Sequence, residues 1–300
     1  MRAITDNTLR DYFEAHAWSA DTQRTYTCVL SQFLSDVRPG GPDWEKRATG
    51  WPKKLGAKVG QRTISHYVVW ARTFLDWLVA RGSLKNNPLK HVSIKTYDFS
   101  TKPVLQPEEA VTLLDWSAEQ TGVLGTRIHA ALSLMLFTGL RLGGVVSINL
   151  EDIAKSGKRW TAHYTAKGHG RGKDAFVVLQ TRVVDAIRDY VGATGREMKG
   201  EGALFLTQRG KRMERSTMRH AIVAAFERAG VAKPGLTPHS LRHTCAVMAY
   251  KAGAGVMEIM GMLGHRSLNT TQRYLQSLSR IDTAAEMTVD YSQGARKAEK

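Results

Sequence analysis

Between Asn86 and Pro107 the hydrophobic periodicity of the chain fades, and that interruption constrains the fold more than any other feature. Asn87-Pro88, Lys102-Pro103 and Gln106-Pro107 punctuate a polar stretch. Each proline removes a backbone donor and pushes the residue before it away from helical geometry. The stretch reads as an interdomain linker, and 300 residues are enough for about two domains. The expected division is a helical domain over 1–98, a linker over 99–106, a second domain over 107–290 and a polar tail over 291–300.

The first part reads as helices. Asp21 is placed to cap a helix whose Tyr26, Val29, Leu30, Phe33, Leu34 and Val37 follow 3-4 spacing, and Pro39-Gly40-Gly41-Pro42 ends it. A second helix is expected from about Thr63 to Ala80, with Ile64, Tyr67, Val68, Ala71, Phe74, Leu75 and Leu78 on one stripe. Trp18, Trp44, Trp51, Trp70 and Trp77 are read mostly as packing residues. In the second part, Pro107-Glu108-Glu109 opens a helix, with proline in the first turn and acids at the positive dipole end. An apolar helix from Ile128 to Thr138 follows, then a β-like region from Trp160 to Leu179 that turns at Lys167-Gly168-His169-Gly170. Helical patterns resume at Arg182–Val191, Thr217–Ala229 and beyond. The fold class is therefore mainly α, with a small β-sheet in the second domain.

Charge narrows the partner. The chain carries 43 Lys and Arg against 27 Asp and Glu, a formal net charge of +16. Residues 1–98 hold 15 basic and 9 acidic side chains, and the remainder 28 and 18, so both parts are basic. A polyanion is implied, either nucleic acid or an acidic membrane surface. Cys28 and Cys245 form no CxxC, which leaves a disulfide scaffold and a structural zinc site unsupported and suits a reducing cytoplasm. The longest apolar run, Ile128–Phe137, is broken by His129 and Ser133 and falls well short of the ~20 residues of a membrane span. No membrane association and a cytoplasmic location are expected.

Four clusters in the second part hold residue types that packing alone does not require. They are Thr138-Gly139-Leu140-Arg141; Lys167 at the hairpin tip; Pro238-His239-Ser240-Leu241-Arg242-His243; and Leu263-Gly264-His265 followed by Thr270-Thr271-Gln272-Arg273-Tyr274. Singly, each has a bland reading as a surface cation, a solvated turn or a core aromatic. His239 and His243 stand at i, i+4, but the glutamate of HExxH is absent and no third zinc ligand is evident. Together the clusters form a set of tools for phosphate chemistry. Two arginines offer bidentate recognition of phosphate oxygens, two histidines offer hydrogen bonds and proton transfer, a lysine offers a general acid and a tyrosine an oxygen nucleophile. No acidic cluster for a divalent metal appears, so the arginines would neutralise developing charge themselves. Thr237-Pro238 makes a good N-cap and first-position pair, which puts His239 and Arg242 in the first turns of a helix whose positive end favours an anion.

With these residues the sequence resembles the tyrosine recombinases of the phage integrase family. The motifs stand in the family's order as TGLR ending at Arg141, KGHGRGK beginning at Lys167, HSLRHT from His239, LGH ending at His265 and TTQRY ending at Tyr274. The resemblance implies an N-terminal helical core-binding (SAM-like) domain and a C-terminal catalytic domain, without a further arm-binding domain. It implies that Tyr274 attacks the scissile phosphate to give a 3′-phosphotyrosine. Arg141 and Arg242 would clamp the phosphate, Lys167 would protonate the departing 5′-oxygen, His239 would assist proton transfer and His265 would bond a phosphate oxygen. Neither metal nor ATP nor any other cofactor is implied. The partner would be a double-stranded recombination site with inverted half-sites, exchanged through a Holliday junction by a homotetramer that is monomeric when free.

One position departs from the family's pattern. An acidic residue usually stands three positions after the first arginine, and here that position is Gly144, next to Gly143. Two glycines weaken a helix by roughly 2 kcal/mol relative to alanine, and the missing carboxylate removes a support for the arginine. DNA contacts are expected from Arg62 in the first domain, Arg171 and Lys173 by the hairpin, and Arg209, Lys211, Arg212, Arg215 and Arg219 before and within a later helix. Two other classes are weighed: a DNA-binding protein that has lost catalysis, and a nicking-closing topoisomerase of similar chemistry. The intact set of six residues argues against the first; the HxLRH and LGH motifs and the small helical first domain argue against the second.

Overall fold

A computed structural model describes residues 6–16, 18–95, 103–165 and 175–264. The chain divides into two units, Met1–Phe99 and Ser100–Lys300.

Among the described residues of the first unit, four helices surround one core: α1 (Asp6–Glu14), α2 (Ala20–Val37), α3 (Trp44–Gly56) and α4 (Gln61–Ala80). The cap of α2 is Ser19, whose Oγ accepts from the Thr22 amide at 3.4 Å, rather than the expected Asp21. The helix ends where Arg38 turns left-handed at φ 50°, just before the expected Pro-Gly-Gly-Pro break. On α4, six of the seven expected stripe residues are buried and Tyr67 packs at the core edge. Helix α3 is absent from the sequence reading because Gly50 and Pro52 disguise it. Its Trp44, Ala48, Trp51 and Leu55 nevertheless recur at helical spacing and are all buried. Trp51 Nε1 donates to Asp36 at 3.0 Å and Lys54 to the same carboxylate at 2.5 Å. Burial opposes ionisation of Asp36, but these two bonds carry its pKa below the ordinary value.

The interruption read from Asn86 onward is not open chain up to residue 95. Arg72 on α4 donates to the Leu89 carbonyl at 2.9 Å and to that of Val92, while the Asn87 amide reaches Arg72 O at 3.0 Å and Asp76 at 2.7 Å. Leu84 and Leu89 are buried in the first unit's core. Polar residues here satisfy backbone groups instead of solvating a linker.

The second unit contains α5 (Pro107–Ala118), α6 (Gly122–Thr138), α7 (Leu142–Ser147), β1 (Ile153–Ser156), β2 (Arg159–Tyr164), β3 (Ala175–Leu179), α8 (Thr181–Ala193), α9 (Arg215–Arg228), α10 (Pro238–Lys251) and α11 (Val256–Leu263). The strands form one antiparallel sheet in the order β1-β2-β3, with Ala162 opposite both Ile153 and Val177. Helix α5 starts as its sequence predicts, with the Glu109 carboxylate accepting from the Gln106 amide at 2.6 Å. Leu105 is buried in this unit, and its amide donates to Thr244 Oγ1 at 2.9 Å. Helix α6 is apolar nearly all round and forms the centre of the core, as a helix without a polar face must. Its one histidine, His129, meets Ser117 Oγ at 2.7 Å. Burial lowers the pKa of His129, with Asp189 opposing the shift. No helix among the described residues is long and apolar enough to cross a membrane.

Candidate active site

The first motif is a sharp junction between α6 and α7. Gly139 closes α6 at φ 65°, and a methyl group placed on it would stand 2.6 Å from Leu263 Cδ2. Both facts require glycine. Leu140 is buried, and Arg141, partly exposed, caps α7 in extended geometry, its carbonyl accepting from Val145 at 3.0 Å.

Helix α7 forms despite Gly143-Gly144 because tertiary bonds hold its far end. Ser147 Oγ donates to Gly144 O at 2.8 Å and accepts from the Thr165 amide, at the end of β2, at 3.1 Å. Arg212 Nη1 donates to Val146 O at 2.8 Å and Ile148 O at 3.4 Å, and Nη2 to Asn149 Oδ1. A cation on the last carbonyls of a helix is favourable for the dipole as well as for hydrogen bonding. Arg212, expected among the DNA contacts, therefore has its guanidinium committed to the segment that follows Arg141.

The third motif opens α10 as its sequence predicts. Thr237 is the cap, Pro238 the first helical residue, and the Thr237 amide donates to Ser240 Oγ at 3.2 Å. His239 lies in the first turn and faces His243 edge-to-face, ring centroids 5.3 Å apart. Arg242 is only 1% exposed. Its Nη1 donates to Gly139 O at 2.7 Å and its Nη2 to Leu263 O at 2.5 Å. One guanidinium thus ties the TGLR turn to the end of α11, which runs into the LGH motif. Cys245, one turn further on, is buried beside Gly139, and burial pushes its thiol up to about 12 although Arg242 pulls the other way.

Helix α11 ends at Gly264, left-handed at φ 60°, immediately before His265. Lys167, Arg171 and Lys173, between the paired ends of β2 and β3, and His265 and Tyr274 lie outside the described residues. The structure brings together the backbone segments bearing Arg141, Arg242 and the start of LGH. Arg209, Lys211, Arg215 and Arg219 are exposed around the start of α9, and Arg62 is exposed at the start of α4 in the other unit. Sequence reasoning missed the supports, Arg212, Ser147 and Thr244, since isolated polar residues carry no periodic signal.

Residues 103–280 match the phage integrase family, and the chain belongs to that family. Its similarity extends to "Tyrosine recombinase XerC" of Vibrio atlanticus, 30% identical over 263 residues that cover 85% of this chain and 82% of the relative. "Tyrosine recombinase XerC" of Myxococcus xanthus is 32% identical over 213 residues, 68% of each chain. Among solved structures, the Tn1549 transposon integrase in complex with transposon right end DNA superposes with a TM-score of 0.75 at 16% identity, over 94% of this chain and 98% of that one. The XerH site-specific recombinase bound to palindromic difH substrate gives 0.73 at 18% identity, over 88% and 79%. These two share the fold.

Proposed function

We infer that this protein is a site-specific DNA recombinase that breaks and rejoins strands through a 3′-phosphotyrosine and a Holliday junction, without metal or ATP. The observation that carries the reading is the Arg242 bridge, which locks the Arg141 turn and the end of α11 to one helix start. Family membership and the DNA complexes of the neighbouring structures support it.

In the proposed reaction Tyr274 Oη forms a bond to the scissile phosphorus as the bond from phosphorus to the 5′-oxygen breaks. His239 assists removal of the tyrosine proton, and Lys167 delivers a proton to the departing oxygen. Arg141 and Arg242, with His265, stabilise charge on the non-bridging oxygens. The phosphate remains an ester throughout, so the partner strand's 5′-hydroxyl reverses the step without an energy source. The substrate is a duplex with inverted half-sites, held by a homotetramer that assembles from monomers on synapsed DNA, in the cytoplasm. Arg62, Arg209, Lys211, Arg215 and Arg219, which are exposed, supply backbone contacts together with Arg171 and Lys173. Neutralising six to ten phosphates would make affinity fall by about 10³–10⁵ between 50 and 200 mM salt.

The test is selection of a bound duplex from a random library, followed by footprinting and by recombination of a plasmid carrying two copies in EDTA. A footprint of paired inverted half-sites and product in EDTA are expected. Binding without any strand exchange, or cleavage that requires Mg²⁺, would overturn the reading.

A further inference from the structure

Position 144 raises a question that the family's chemistry leaves open for this chain: what occupies the space where a side chain would lie. A β-carbon placed on Gly144 would meet Tyr164 Cδ2 at 3.0 Å and Cε2 at 3.4 Å. The ring of Tyr164, with Leu140 Cδ2 at 3.4 Å beside it, fills that space. Tyr164 is the last residue of β2, paired with Ala175 and 8% exposed. At its other end the Tyr164 hydroxyl lies 3.7 Å from the position a β-carbon on Gly264 would take. One rigid side chain therefore spans from the first turn of α7 to the cap of α11. It rests on glycine at both ends, three residues after Arg141 and one before His265, and stands three residues before Lys167.

We propose that Tyr164 is a positioning residue for the recombination site: its ring is a wedge that sets the separation of the Arg141 turn from the end of α11 at Leu263-Gly264, in place of a side chain at 144. The proposal rests on the functional reading above. Two observations support a positioning role over simple core filling. The same two segments that the ring separates are the ones Arg242 pulls together, through Gly139 O and Leu263 O. The residue after Tyr164 is also bonded to α7, Thr165 N to Ser147 Oγ, which ties the strand end to the helix. A guanidinium drawing two segments inward and a ring holding them apart fix a distance that neither fixes alone. Reacting groups misplaced by about 1 Å lose about a hundredfold in rate.

The test measures single-turnover formation of the covalent adduct on a nicked duplex of the selected site, alongside the Kd for that duplex. Wild type, Tyr164→Phe, Tyr164→Ala, Gly144→Ala and the Gly144→Glu/Tyr164→Ala double variant are compared. Tyr164→Phe keeps the wedge and is expected to cleave within about threefold of wild type, with an unchanged pH profile. Tyr164→Ala is expected to slow cleavage by about tenfold to a hundredfold with Kd within about threefold. Gly144→Ala pushes the ring by a few tenths of an ångström while favouring helix, so cleavage is expected to slow without a fall in melting temperature. This variant keeps the proposal testable if Tyr164→Ala does not fold. The double variant, with a side chain returned to 144 and the ring removed, is expected to cleave faster than Tyr164→Ala alone. Wild-type cleavage rates in both Gly144→Ala and folded Tyr164→Ala would overturn the proposal and leave the recombinase reading intact. No adduct with wild type would overturn the recombinase reading itself.

Discussion

Arg242 donates from Nη1 to the carbonyl oxygen of Gly139 at 2.7 Å, across 103 residues of sequence. The residue that the motif order marks as a phosphate ligand is also the tie that fixes the turn leading to the other motif arginine. Lysine keeps the charge but has no fork to span two carbonyls. Arg242→Lys is expected to lose about 2–3 kcal/mol in urea unfolding and to abolish adduct formation. Wild-type stability in this variant would show that the bridge contributes nothing to the fold.

Gly139→Ala tests the same turn from the backbone side. A left-handed residue with a methyl group 2.6 Å from Leu263 Cδ2 is strained twice. The expected loss is about 2 kcal/mol or more in urea unfolding. Cleavage should fall with it, since Leu263 leads into His265.

Arginines near α9 divide into two kinds. Arg212→Ala removes the bonds to Val146, Ile148 and Asn149. It is expected to cost about 1–3 kcal/mol of stability and to slow cleavage, with little change in the salt dependence of binding. Arg215→Ala is expected to leave stability within about 0.5 kcal/mol and to reduce the salt slope of DNA binding by about 1. Titrations at several salt concentrations, with melting curves, separate the two.

His129 predicts a pH dependence of a definite sign. Burial holds its folded-state pKa below the ordinary 6.5. As pH falls below that ordinary value, the unfolded chain takes up a proton that the folded state still refuses, so stability falls. The loss accumulates down to the folded-state pKa and then stops growing. Urea midpoints measured from about pH 8 to about pH 5 should decline, and His129→Gln should flatten the slope across that window.

What was legible in the sequence follows from how each element is stabilised. Stripes such as Ile64–Leu78 announce their helices because one face is buried and the period survives in the residues. The cap and first turn of α10 were equally plain, since Thr237-Pro238 satisfies local rules. Helix α3 was hidden by Gly50 and Pro52, which local propensity disfavours and tertiary burial of two tryptophans overrides. The stretch from 86 to 95 looked open because its bonds run to α4, distant in sequence. At the site, the motif residues were visible as residue types in order. Their supports were not: Arg212 reads as one more cation in a basic cluster, and Tyr164 as one more aromatic in a strand. Only the fold shows that the two glycines after Arg141 are compensated by contacts from β2 and from the approach to α9.

The central claim is covalent attack by Tyr274, and its most direct test is the adduct. Wild-type protein incubated with a nicked duplex of its selected site should give a protein–DNA species that survives SDS and is lost on protease digestion. Tyr274→Phe should bind the same duplex with unchanged affinity and give none. A full yield of adduct from Tyr274→Phe would contradict the account.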